Sequence, residues 1–147
     1  ISIHKLNLDS TITEVLEQRM KEIEKCLKSK SALATIFLCG STLEGILLGA
    51  TINNPKMFNS ANASPKDNSG KVLNFQNWAL SNFIDVAKEI NFLNEDVKKF
   101  SHALRDFRNY IHPYQQAIQK FNPDEHTAKI CFQVLKAAIS QITKKQT

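Results

Sequence analysis

Between Leu104 and Tyr114 the chain reads Leu-Arg-Asp-Phe-Arg-Asn-Tyr-Ile-His-Pro-Tyr. Two guanidiniums (Arg105, Arg108), a side-chain amide (Asn109) and an imidazole (His112) fall within eight residues. Guanidinium forks match the oxygens of a phosphate in pairs. Imidazole is the side chain best suited to moving a proton near neutral pH. An amide can orient the imidazole or hold a substrate. Together the set suits attack of a ribose 2′-hydroxyl on the adjacent phosphodiester without a metal. His112 would act as base or acid, and the arginines would stabilise charge gathering on the phosphorane oxygens. A second reading stays open. Cations and polar side chains at the end of a helix also interact favourably with its dipole and its unpaired carbonyls.

Such a cluster works only if one helix aims it. At ~100° per residue, with Arg105 at zero, Asn109 falls at about +40°, Arg108 at about −60° and His112 at about −20°. All four then share one side. Val97, Phe100, Leu104, Phe107 and Ile111 form an apolar stripe about 120° away, which the bundle can bury. Asn94 is placed to cap this helix, and Pro113 should stop or kink it at His112. Around it the same periodicity predicts four more helices. One covers 9–29, capped by Asp9 or Ser10 with a Thr11–Glu14 capping box, its inward positions including Ile12, Val15, Leu16, Arg19 and Ile23. The others cover 31–53, 75–91 and about twenty residues after Asp124. The segment 54–72, with two Pro, one Gly and many Asn and Ser, reads as a long loop.

The stretch 31–53 approaches the length of a membrane span. Glu44 stands in its middle with Ser41, Thr42 and three glycines nearby, so a buried central helix is expected and no membrane association. Gly45 and Gly49 should mark close helix packing. Glu44 needs a partner there, either an arginine of the polar face or solvent. The sum is one all-α domain over residues 1–147, an up-down bundle of about five helices.

LRDFRNYIHPY resembles the signature of HEPN domains, whose Arg and His stand about four to six residues apart on the penultimate helix. Arg105 and His112 have six residues between them, and Asp106 supplies the polar residue that commonly follows the Arg. Arg108–Asn109 also matches the family's Arg-Asn pair, so the resemblance leaves open which arginine is the catalytic one, with the spacing favouring Arg105. The apolar second helix and the helix order are similar too. The resemblance implies a four- to five-helix bundle that dimerises and brings both Arg/His sets into one cleft. It implies a metal-independent endoribonuclease without a cofactor, in a toxin–antitoxin or phage-defence setting, with RNA as substrate. It also allows a non-catalytic dimerisation or ligand-sensing module of a larger protein. In some family pairs a nucleotidyltransferase antitoxin modifies the Tyr of a His-x-Tyr motif; His112-Pro113-Tyr114 has that spacing, although Tyr114 can equally be a packing residue.

Composition agrees with this frame and narrows little. Nineteen Lys plus Arg against fourteen Asp plus Glu give +5, a mild lean towards an anionic partner. Cys26, Cys39 and Cys131 lack metal-ligand spacing and read as free core thiols of a cytoplasmic protein. The chain begins at Ile1, which suggests a piece of a longer protein. His102 borders the polar face as a surface residue; Asp85 and Glu89 read as solvated acids, and Trp78 as core. His4 and His126 stand alone, and Lys56, Lys66 and Lys71 read as solvated loop cations. A basic DNA-binding helical domain is a weaker third reading, since the chain shows no convincing helix-turn-helix pair and the helix richest in Arg carries them at its end.

Overall fold

The computed structural model describes residues 2–146, and these fold as helices and loops around one core. The α-helices are α1 (Ser10–Lys28), α2 (Ala32–Asn53), α3 (Pro55–Asn59), α4 (Leu80–Glu89), α5 (Glu95–Arg108), α6 (Pro113–Ile118) and α7 (Glu125–Gln146), with short 3₁₀ turns at Ile3–Leu6, Phe75–Asn77 and Asn109–Ile111. The five long helices are those the periodicity predicts. The short α3 and α6 lie in segments read as loop and linker. Each opens on a proline, whose fixed φ suits the first turn of a helix.

The helix starts follow from local chemistry. The Asp9 carboxylate accepts the Thr11 N–H at 2.8 Å, which makes Asp9 the cap of α1 in place of a Thr11–Glu14 box. Asp124 does the same for α7, accepting the N–H groups of His126 and Thr127 at 3.0 and 3.1 Å. These backbone bonds, the Thr127 one first, hold the Asp124 carboxyl below the usual carboxylate range. Asn94 precedes α5 without a side-chain cap; its own N–H is taken by Gln141 of α7 at 2.8 Å. The predicted 75–91 helix begins later, at Leu80, because Phe75–Asn77 winds as a 3₁₀ turn and Ala79 is extended.

α2 is the central helix. By length and composition alone it could cross a membrane. Here it packs against α1, α4, α5 and α7, with Ile36, Cys39, Leu43, Ile46 and Leu47 fully buried. α1 and α2 run antiparallel and pack closely where α2 carries glycine. A Cβ on Gly49 would lie 2.8 Å from Leu8, and one on Gly45 would lie 3.3 Å from Leu16. One turn further along, Arg19 meets Ser41. α4 and α5 are tied by the His102–Asp85 contact at 2.7 Å, with Lys98 at 3.9 Å from the same carboxylate. His102 and Asp85 are therefore partners, not the independent solvated groups that their sequence positions suggest.

The α5 stripe is only half buried. Val97 and Leu104 are in the core, but Phe100 is 55% and Ile111 56% exposed, and Ile130 of α7 is 60% exposed. Val15 of α1 likewise faces out. α5 touches the body along a narrower seam than its sequence can cover.

The segment 54–72 is tied down throughout. After α3, Glu89 of α4 accepts the backbone N–H groups of Asn62 and Ala63 at 2.6 and 2.9 Å. The Asp67 carboxylate closes a turn by accepting from the Ser69 hydroxyl and from the N–H groups of Ser69 and Lys71. These bonds, the Ser69 hydroxyl first, hold its carboxyl below the usual range. Gly70, at φ 87°, supplies the left-handed residue this turn needs. Lys66 bonds the carbonyl of Ser64 at 3.1 Å and so serves its own loop. Trp78 is buried as expected, its indole N–H donating to Leu73 O at 2.9 Å. Glu89→Ala should cost about 1–2 kcal/mol, because two charge-assisted bonds to backbone N–H groups vanish. Urea unfolding and faster amide exchange at Asn62 and Ala63 measure it. Unchanged exchange at those two amides would show that Glu89 does not anchor the loop.

Candidate functional site

α5 does not carry its polar cluster as one continuous helix. α-Helical winding ends at Arg108. Asn109–Ile111 turn in a tighter 3₁₀ coil, and Tyr110 (φ −83°, ψ 15°) is already outside helical geometry. His112 is extended (φ −80°, ψ 122°), as a residue before proline prefers. Its carbonyl then accepts the Gln116 N–H at 3.0 Å and starts α6. The stop at Pro113 is thus as expected, while the helical-wheel angle for His112 does not survive the change of coil.

Phe121 holds this rim in place. Its ring stacks on Phe107 (5.2 Å between centroids, 20° between planes) and leans on Tyr110 (5.0 Å). The Gln116 side chain donates to Phe121 O at 3.1 Å. The linker therefore folds back as a clasp, and His112 sits at its turning point with an exposed side chain.

A groove of about 470 Å³ opens between this rim and α2, lined by Phe37, Ser41, Arg108, Asn109, Ile111 and His112. Arg108 lies along the floor. Its stem packs on Gly40, where a Cβ would come within 2.9, 3.0 and 3.1 Å of Arg108 Cβ, Cγ and Cδ. Its guanidinium donates to the Glu44 carboxylate. Glu44 is thus partnered by an arginine of the polar face, one of the two roles its position allowed. Phe37 and Ser41, four residues apart on one face of α2, form the groove wall, and Glu44 continues that face three residues further on.

Arg105 is not among the groove-lining residues. Its Nη2 donates to Asp106 Oδ1 at 2.7 Å, and its Nε is buried without a hydrogen-bond partner. The structure therefore brings together Arg108, Asn109, His112 and Glu44, and leaves Arg105 and Asp106 to one side as their own pair. Tyr114 is 87% exposed, so it does not pack. Ile111 and Ile118 of the same rim are exposed as well.

Sequence reading overlooked Arg19. From α1 its Nη1 donates to Ser41 Oγ at 2.5 Å, across 22 residues of sequence. Its one signal was an arginine placed among the inward positions of α1.

Among the described residues no cluster of three or more His, Cys, Asp or Glu is arranged to hold a metal. The cysteines are free. Burial, with Cys131 and Cys26 as lesser influences, pushes the Cys39 thiol far above its ordinary value, and burial pushes Cys131 up to about 11. Neither is a thiolate nucleophile at neutral pH. The groove can therefore bind an anion through guanidinium and amide donors and move a proton through an imidazole. Comparison of the chain with family models, curated proteins and solved structures finds no match.

Proposed function

We propose that this chain is a HEPN-like, metal-independent endoribonuclease acting in a toxin or phage-defence setting. The observation that carries the reading is the groove in which an exposed His112 imidazole stands beside Arg108 and Asn109. His112 takes the proton of a ribose 2′-hydroxyl as its oxygen forms the new bond to phosphorus. The bond from phosphorus to the 5′-oxygen breaks, and that oxygen receives a proton from an imidazolium. The products are a 2′,3′-cyclic phosphate and a 5′-hydroxyl. Arg108, aimed by Glu44, stabilises the phosphorane oxygens. Arg105 and Asp106, one helical turn away, belong to the same polar end of α5 and complete the pair that the family spacing implies.

A homodimer fits this reading, since the groove-lining Ile111 and Ile118 of α6 are both exposed and leave apolar surface for a second copy. A cytoplasmic location agrees with three free thiols. The accessible Tyr114 hydroxyl suits modification by a nucleotidyltransferase antitoxin.

The competing reading is a catalytically idle dimerisation or ligand-sensing module. It draws on a specific observation: Arg105 and Arg108 are each already matched by a carboxylate, Asp106 and Glu44. The test is incubation of the purified chain with RNA in excess EDTA, followed by analysis of the new ends. Cyclic phosphate and 5′-hydroxyl ends support the nuclease. A folded chain that cuts nothing is the module.

A further inference from the structure

We propose that Arg19 holds the RNA backbone phosphate in the groove, with the Ser41 hydroxyl as its co-donor. The inference deepens the nuclease reading and rests on it for the identity of the phosphate, but the anion subsite itself is tested separately below.

The charge balance around the groove leads to Arg19. Of the three arginines, Arg105 is paired with Asp106 and Arg108 with Glu44. Arg19 makes no ion pair among the described residues; its partner is a neutral hydroxyl. A guanidinium already facing a carboxylate attracts an incoming phosphate less than an unpaired one does, because the phosphate meets the carboxylate's repulsion as well. Arg19 carries a charge that no carboxylate of the described residues answers; it is not itself among the groove-lining residues, but Ser41, the residue it touches, is.

The hydrogen bonding points the same way. Ser41 Oγ accepts from Arg19 Nη1, which leaves the hydroxyl proton free to donate. Arg19 spends one N–H on Ser41 and keeps the rest of its donor fork. Both side chains are half-buried, so the donors are preorganised in partly dry surroundings, where they act more strongly than at an open surface. The placement is fixed by packing. Leu8 packs against Gly49 and Leu16 against Gly45, and Arg19 meets Ser41 one turn further on. Asn109 and His112 stand on the opposite rim. A phosphate bonded to Ser41 in the groove thus has Asn109 and His112 among the other lining residues and Arg19 on the same hydroxyl.

The experiment is titration of the purified chain with inorganic phosphate, followed by amide chemical shifts. Saturable shifts should appear at Ser41 and Asn109. Arg19→Gln should weaken binding about tenfold or more, and Arg19→Lys should recover part of it, since it keeps the charge and loses the fork. Lys21→Gln removes the same charge from an exposed site on the same helix and should leave binding unchanged. Thermal melts establish that each variant is folded. For RNA cleavage, Arg19→Gln should raise KM more than it lowers kcat. No saturable phosphate binding, or equal weakening by Arg19→Gln and Lys21→Gln, overturns the subsite. If phosphate binding depends on Arg19 as stated but the parent chain cuts no RNA, the subsite stands and the nuclease reading falls. If the parent cuts RNA and Arg19→Gln changes neither phosphate binding nor KM, the subsite falls and the nuclease reading stands.

Discussion

His112→Ala should abolish RNA cleavage in EDTA, lowering the rate by about 10²–10⁴-fold, the usual contribution of a positioned acid or base. It should do so without a change in folding. The His112 side chain is exposed and its ring makes no hydrogen bond or ion pair among the described residues, so truncation removes little packing. Exposed substitutions of this kind stay within about 0.5 kcal/mol. The contact that matters for α6 is the His112 carbonyl to the Gln116 N–H, and alanine keeps it. Alanine also tolerates the extended backbone that Pro113 imposes. The measurement is a cleavage time course for parent and variant, each with a thermal melt. A variant that melts with the parent but is inactive assigns the imidazole to the chemistry. A variant that cuts at the parental rate removes His112 from it, and with it the mechanism built on the groove.

Much of the scaffold was legible because its determinants are local. Asp9 and Asp124 bond N–H groups two or three residues away, and Pro113 acts on its neighbour. Gly45 and Gly49 marked a close helix crossing, and Leu16 and Leu8 fill it. The apolar run of α2, interrupted by Glu44, became the central helix with Glu44 at its one polar wall. What stayed hidden depends on neighbours distant in sequence. Phe100 and Ile111 complete a regular stripe, yet among the described residues no element covers them. A wheel records a direction and says nothing of what lies there. Glu89 looked like a solvated acid because its partners, two backbone N–H groups, leave no trace in residue types. The short α3 and α6 were obscured by the prolines that begin them. In the candidate site, the cluster on α5 could be seen in sequence. Its division into an Arg105–Asp106 pair and a groove containing Arg108, Asn109 and His112 could not, because it depends on where α2 packs against the end of α5 and, for His112, on the switch to 3₁₀ winding after Arg108.

Gly40→Ala should damage the site more than the fold, and the geometry says why. Glycine inside a helix is destabilising by about 0.5–1 kcal/mol relative to alanine, so the substitution should help α2 if space allowed. Space does not allow it. The new methyl would lie 2.9 Å from Arg108 Cβ and 3.0–3.1 Å from its Cγ and Cδ. Rotating χ1 can move Cγ and Cδ away, but Cβ is fixed by the backbone, so the end of α5 itself must retreat from α2. Overpacking of this kind costs about 1–3 kcal/mol. After the helix gain, the net loss should be about 0–2.5 kcal/mol, small enough for the chain to remain folded. The retreat carries Arg108 away from Glu44 and shifts the rim that holds Asn109 and His112. Misplacement of catalytic groups by about 1 Å can cost ~10²-fold in rate, so cleavage should fall about 10–100-fold in a folded variant. Gly45→Ala is the matched control. It adds the same methyl to the same helix, but meets only the flexible Cδ2 of Leu16 at 3.3 Å, and should keep both stability and activity. Urea unfolding and cleavage rates on the two variants decide the matter. If Gly40→Ala unfolds with the parent and cuts RNA at the parental rate, the seating of Arg108 against α2 is irrelevant to the chemistry, and Arg108 loses its assigned role at the phosphorane.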